Sequence, residues 1–504
     1  MPLNRRLFLK TGAAAAAMAA ATTLPRPLLA QLDRTPEPVP PIDDPRLKAL
    51  AARALDAARA AGASYADVRL THTRTRSISP IGGPNSVFDQ EDMEVGVRAL
   101  VDGYWGFASG PVWSPDEMAR LGREAVHQGK VNALGASRDV DLAPVPPVPD
   151  GHWVMPVQID PFEVSPFEIQ DFLQGLNLYA SEHIPVPGKK GIQRNIATFV
   201  VQARAFASTD GSYCTQQLYR SSGVLSLMYQ SSDGKRAERA MEPLRPAAMG
   251  WELYTAERIP QVRDGSLREE LRRRVEEIRE DLALPIKPVD VGRYDTVFDA
   301  EGVQNLLDET LGRATELDRA LGYEANAGGT SYLTDPLGML GSYQAGAPSL
   351  TVTANRSQPG GCATVKWDDE GVEPESFDLV KDGVLHDFQT TRESAGWIRA
   401  SYARLGRPFR SHGCASAPSA VDPPMQHAPN LIMAPGREAE DFDSLVAGMS
   451  SGIAIKRASL SMDFQHSSGF GSGAIYEVKR GKRVARIASA GFLFRATELW
   501  KNLL

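Results

Sequence analysis

Two proline clusters decide where this chain can be continuous. Residues 36–41 and 144–149 each hold four prolines in six positions. Proline lacks the backbone donor that a helix interior or a central strand needs, so no regular element runs through either cluster. At 504 residues the chain is too long for one ordinary core, and the clusters are its natural breaks. The expected organisation is a linker over 31–43, an N-terminal α/β domain over 44–143, a mixed central domain over 144–290 and a β-rich C-terminal domain over 291–504. The fold class is therefore α+β.

Residues 1–30 read as a segment to be removed. Asn4-Arg5-Arg6-Leu7-Phe8-Leu9-Lys10 precedes an alanine-rich run over 12–24, which is the order of regions in a twin-arginine export signal. A periplasmic or otherwise extracytoplasmic location is expected. The run is closed by Pro25 and Arg26 and falls short of the roughly 20 apolar residues a span requires. No stable membrane anchor is expected. A net charge of −7 with scattered arginines leaves no electrostatic footprint for nucleic acid. Cys214, Cys362 and Cys414 are far apart and odd in number, which excludes a disulfide framework and a close-paired structural zinc site.

Alanine and leucine at helical spacing predict a helix over 44–62, stopped by Gly62. Alternation over 65–70 and 94–100 predicts paired strands, the second turning at Asp102-Gly103 into Tyr104-Trp105-Gly106-Phe107-Ala108. Ser114-Pro115-Asp116-Glu117 opens a further helix to residue 128 with a cap, a proline and acids in order. Strands over 196–207 and 223–229 flank an Asp210-Gly211 turn, Gly188-Lys189-Lys190-Gly191 reads as a basic loop, and 266–284 is a charged, solvated helix. A principal helix is expected over 300–321, with short strands and glycine turns beyond it.

Several pieces together resemble the TldD/PmbA family, the modulator-of-gyrase type. They are Ala60-Ala61-Gly62-Ala63-Ser64-Tyr65-Ala66-Asp67-Val68-Arg69, Gly103-Tyr104-Trp105-Gly106-Phe107-Ala108, residues 309–319, Gly322-Tyr323-Glu324-Ala325-Asn326, Asp368-Asp369-Glu370-Gly371-Val372 and Ser411-His412-Gly413-Cys414-Ala415, in that order. The resemblance implies a zinc metallopeptidase architecture in which two related subunits enclose a cavity. It also implies a helix bearing His-Glu-x-x-x-His, whose histidines bind zinc and whose glutamate is the general base, with a further ligand from near the C-terminus.

The matching segment here is Leu307-Asp308-Glu309-Thr310-Leu311-Gly312-Arg313. Only Glu309 keeps its motif identity, as the candidate catalytic base. Positions five apart on a regular helix differ by about 140° at roughly 100° per residue, so both motif ends meet one ion only if the helix is distorted. Gly312 stands where distortion is easiest. Asp308 could offer an oxygen ligand, but Arg313 is a permanent cation at the second histidine position. The last ligand-bearing segment of the family would begin about where Trp500-Lys501-Asn502-Leu503-Leu504 stands, and it looks absent.

Other candidate metal ligands are His412, Cys414 and His466, with Glu316 and Asp318 following the motif, and histidine and thiolate both suit zinc. The bland alternative places His412 and Cys414 in a turn and core, and His466 in a structural role. Asp368-Asp369-Glu370 could hold a cation or simply turn between strands. No nucleophile elbow or phosphate loop occurs.

The first expectation is an exported, catalytically degenerate subunit that binds or threads a peptide or unfolded polypeptide, in a homo- or heterodimer with a related TldD/PmbA-type chain. The alternatives are an active metallopeptidase with Glu309 as base and unconventional ligands, and a non-enzymatic assembly factor.

Overall fold

The computed structural model describes residues 41–80, 86–134, 139–183, 188–231, 237–259, 265–436 and 440–504. The export-signal segment lies outside the described residues, as does the linker up to residue 40. From Ile42 to Leu504 the contacts gather into one unit. Among the described residues no helix is long and apolar enough to cross a membrane.

Helix α1 (Pro45–Ala61) starts where the Asp44 carboxylate accepts the Arg46 N–H and stops at Gly62, whose φ of 104° suits glycine. Strands β1 (Tyr65–Ile78), β2 (Val87–Val101) and β3 (Tyr104–Gly110) form a meander, with Tyr65 opposite Leu100 and Val101 opposite Tyr104. Asp102 and Gly103 both have positive φ, the geometry of a tight hairpin. Helix α2 (Pro115–Asn132) carries the Ser114 cap and runs past the predicted end at 128. Leu47, Ala54 and Ala58 of α1 and Met118, Leu121 and Ala125 of α2 bury one face of this sheet.

The sheet continues across the second proline cluster. Strands β4 (Gly151–Val154), β5 (Gly188–Ser208), β6 (Tyr213–Ser231) and β7 (Ala237–Ala247) complete seven strands in the order β3-β2-β1-β5-β6-β4, with β7 also on β6. The central segment therefore shares a sheet with the N-terminal one. Gly188-Lys189-Lys190-Gly191, expected as a loop, begins β5, because its backbone pairs with the end of β6. Helices α3 (Pro166–His183) and α4 (Leu267–Ala283) cover this half. Ile169, Leu173, Leu271 and Val275 pack there with Phe199, Trp251 and Tyr254. A capping box of Ser266 and Glu269 starts α4.

In the C-terminal half one sheet pairs Val384–Leu385, Ser376–Lys381, Val352–Asn355 and Asn430–Met433. A second is built on the hairpin Ser451–Met462 and Ser468–Lys479. Here Thr296–Phe298 runs parallel to the first strand, and Ile286–Lys287 parallel to Lys482–Ile487. Between the sheets lies α5 (Ala300–Leu307), the start of the motif helix.

The principal helix is shorter than expected. It is α-helical only to Leu307, makes a π-turn over Asp308–Gly312, and resumes as one short turn over Leu317–Ala320. Apolar spacing alone reads straight through this break.

The N-terminal sheet is tied to the C-terminal half by buried charge. Arg98 on β2 bonds Asp67 on β1 at 2.6 Å and reaches Glu370 at 3.3 Å. Asp369 meets Arg204 at 3.3 Å, and Asp368 accepts the N–H groups of Glu370, Val372 and Ala415. The acidic triplet is thus a structural clamp, with its oxygens already engaged.

Candidate functional site

The motif segment is positioned from both ends. The Asp299 carboxylate caps α5 through the Gly302 N–H at 2.8 Å and also takes the Arg457 N–H from the neighbouring hairpin. Leu306, Leu307 and Leu311 bury against Leu350, Val352, Val380 and Trp500. In the π-turn the Arg313 N–H reaches the Asp308 carbonyl, five residues back, at 2.8 Å.

Such a turn costs regular helical hydrogen bonds, and side chains replace them. Carbonyl oxygens of Thr310 and Gly312 accept from Tyr332 Oη (3.0 Å) and Gln389 Nε2 (2.6 Å). Those of Leu306 and Leu311 accept from Thr310 Oγ1 (2.6 Å) and Thr315 Oγ1 (2.7 Å). Trp500 Nε1 donates to Thr310 Oγ1 at 2.8 Å. Buried polar groups cost free energy when unpaired, so this set of donors holds the distortion in place. Gly312 allows close packing: a Cβ there would lie 2.9 Å from Leu431 Cδ1 and 3.0 Å from Asp308 Oδ1, so those side chains would have to shift.

The helix is therefore distorted over the motif segment, in a π-turn that ends at Gly312, and neither motif end is histidine. Of the candidate residues, the structure brings His466 to Glu309. Its Nδ1 lies 3.1 Å from the Glu309 carbonyl and 3.9 Å from Glu309 Oε2, and its Nε2 lies 3.4 Å from the Gly328 carbonyl. Carbonyls only accept, so a ring nitrogen that bonds either of them must carry its proton. Glu309 keeps a third of its side chain exposed, at 32%.

His412 and Cys414 sit in another cluster. His412 is stacked on Phe377 at 3.9 Å, with Nδ1 2.8 Å from Glu375 Oε1 and Nε2 3.2 Å from Asp387 Oδ2. Burial opposes its charge, but the Asp387 and Glu375 hydrogen bonds prevail and raise its pKa. Both ring nitrogens are committed. The buried Cys414 thiol is pushed up to about 12 by burial, so it is not a thiolate at neutral pH. Beyond the π-turn, Arg319 holds Glu316 and Glu324, each at 2.7 Å. Burial outweighs Arg319 and lifts Glu316 to about 7.

These residues do not fit a zinc ion of the usual chemistry. Zinc takes three or four deprotonated N, S or O donors. Here Asp308 is one oxygen donor, Arg313 is a cation, and His466 has both nitrogens against carbonyls. Among the described residues no group of three or more His, Cys, Asp or Glu side chains could hold a metal. The supports Tyr332, Gln389 and Trp500 escaped the sequence reading, since no local pattern marks a donor to a distant carbonyl.

Residues 291–504 match the PmbA/TldA metallopeptidase C-terminal domain, and residues 66–129 match the PmbA/TldA metallopeptidase domain 1, together more than half of the chain. A metalloprotease of Methanocaldococcus jannaschii is 23% identical over 398 residues, 78% of each chain. Among solved structures, a Thermotoga maritima protein described as a candidate modulator of a DNA gyrase superposes with a TM-score of 0.67 at 16% identity, covering 91% of this chain and 94% of that one. TldE from Thermococcus kodakarensis superposes at 0.64 and 12% identity, covering 90% and 92%. The α+β architecture is common to all three structures.

Proposed function

Because the chain belongs to the PmbA/TldD family of metallopeptidases, we propose that it is an exported, catalytically degenerate subunit that holds a peptide or unfolded polypeptide and works with a related chain. The observation that carries this reading is the π-turn itself. It bends the backbone between Asp308 and Arg313, which stand where the family motif has its histidines. A permanent guanidinium there opposes a dication.

Holding an extended segment is supported by the strand Asn430–Met433, which ends its sheet in the pairing order and packs Leu431 against Gly312. An added strand at that edge would satisfy backbone groups on both chains. Pairing with a related chain is what the resemblance to the family implies, and export is supported by Arg5-Arg6 and the apolar run behind them.

The contact between His466 and Glu309 favours one competing reading, an active metallopeptidase with Glu309 as base and unconventional ligands. Metal analysis and peptide hydrolysis separate the two. The purified mature chain is expected to hold well under one zinc per chain and to cleave no unfolded peptide alone. A complex with a related intact chain should be indifferent to Glu309→Gln. Stoichiometric zinc, with hydrolysis abolished by Glu309→Gln, would overturn the degenerate reading.

A further inference from the structure

A cavity of about 330 Å³ lies where the β2–β3 hairpin meets the segments 391–397 and 423–426, with Asp318 and Tyr323 also in its lining. Its size is at the small end of pockets that enclose one small group. Its walls are aromatic. Tyr323 and Trp397 stack at 4.3 Å with their planes 12° apart, and Tyr323 is 61% exposed at the rim. Trp105 closes the other side, held by a 2.7 Å bond from its Nε1 to Glu393 Oε2.

The polar groups lean to one sign. Asp318, Glu370 and Glu393 line the cavity with a single cation, Arg98, and Arg98 is consumed by Asp67 and Glu370. Behind Asp318, the Arg319 guanidinium is consumed by Glu316 and Glu324. Asp318 itself accepts only its neighbour's backbone N–H, from Arg319 at 2.8 Å, among the bonds of the described residues.

A second, independent observation points to an occupant. Gln426 is 1% exposed and lines the same cavity. One end of its carboxamide takes the Ser394 hydroxyl at 3.2 Å, and the other, Nε2, is buried with no partner. An unpaired buried amide costs about 1–3 kcal/mol, so such groups are normally satisfied by something.

We propose that this cavity binds the cationic side chain of a lysine or arginine carried by a polypeptide, with the Tyr323–Trp397 pair along its stem, Asp318 as counter-ion and Gln426 Nε2 donating to a backbone carbonyl of the polypeptide beside it. Cations over aromatic faces gain further when partly desolvated. The inference rests on the polypeptide-holding reading only for the source of the cation.

Calorimetric titration of the full chain with Nα-acetyl-lysine amide, Nα-acetyl-arginine amide and the neutral Nα-acetyl-norleucine amide tests it. The two cations should bind saturably and at least about tenfold tighter than norleucine, about 1.4 kcal/mol. Asp318→Asn and Trp397→Leu should each remove that margin, while Glu276→Gln on the far helix α4 should not. No saturable binding of either cation, equal binding of norleucine, or an unchanged margin in Asp318→Asn would overturn the proposal. Asp318→Asn is close to isosteric and decides the matter if Trp397→Leu does not fold. Gly-Gly-Lys-Gly-Gly with blocked ends should bind at least as well as the capped lysine. If the peptide is excluded while butylamine binds, the cation comes from a small amine and the polypeptide source is wrong. None of these readouts involves zinc or hydrolysis, so their outcome is separate from that of the degenerate-motif reading.

Discussion

Trp500 Nε1 donates a 2.8 Å hydrogen bond to Thr310 Oγ1, joining a residue near Leu504 to the middle of the π-turn. Thr310 passes the bond on to the Leu306 carbonyl at 2.6 Å. Trp500→Phe keeps most of the apolar burial and loses the donor, so it should cost about 1 kcal/mol in urea unfolding. Trp500→Ala also opens a cavity beside Leu350 and should cost about 3–5 kcal/mol. No loss in Trp500→Phe would mean the hydrogen bond contributes nothing, and equal losses would mean the indole's burial adds nothing beyond it.

Gly312→Ala places a methyl against Leu431 and Asp308. A loss of about 1–3 kcal/mol is expected from overpacking at a site boxed in by side chains. If Leu431→Ala in the same chain restores part of the loss, the clash is located there. Additive losses would place it elsewhere.

Because the π-turn bends the backbone between them, the paired substitution Asp308→His with Arg313→His tests whether two imidazoles there can share one ion. Zinc affinity, read by competition with a fluorescent chelator, should rise by at least about tenfold, about 1.4 kcal/mol. Either single substitution should give less. No gain in the folded double variant would show that the turn does not align the two ends.

The buried Arg98–Asp67 and Arg98–Glu370 pairs link three segments. Removing the cation in Arg98→Ala strands two buried carboxylates, and a loss of about 3–5 kcal/mol is expected. Replacing Glu370 by Gln keeps an acceptor for the Arg392 N–H, which now bonds Glu370 Oε2 at 2.7 Å. That change should cost less. Denaturant midpoints of the two variants decide the ranking.

His412 gives the stability a pH dependence of definite sign. Burial opposes its charge, yet the bonds to Asp387 and Glu375 hold its folded pKa above the ordinary 6.5. The stabilisation is full below the unfolded value and is lost as pH rises through the folded one. His412→Gln should therefore lower Tm more at about pH 6 than at about pH 9, and melting curves at the two pH values measure it. A larger effect on the alkaline side would contradict the assignment. Asp387, whose pKa burial raises but His412 and other donors bring below the usual value, acts in the opposite direction and only at acid pH.

Local chemistry made the N-terminal elements legible. Gly62, Ser114 and Asp102-Gly103 each state a stop, a cap or a turn within a few residues, and each is used as written. The long reach of β5 and β6 was less legible, since cross-strand partners rather than composition extend them. At the candidate site the sequence displayed the replaced motif ends and the glycine between them. It could not display the donors from Tyr332, Gln389, His466 and Trp500 that settle the helix into a π-turn, because those arrive from distant parts of the chain. The carboxylates flanking His412 were hidden for the same reason.

The parallel pairing of Ile286–Lys287 with Lys482–Ile487, and of Thr296–Phe298 with Ser451–Met462, fixes an order of events during synthesis. The strands that frame the motif helix leave the ribosome long before their partners do. Contacts of such separation form late, because the intervening chain must be closed into a loop first. The motif turn is thus completed late, because a chain interrupted before residue 451 has Tyr332 and Gln389 but lacks the hairpin, His466 and Trp500.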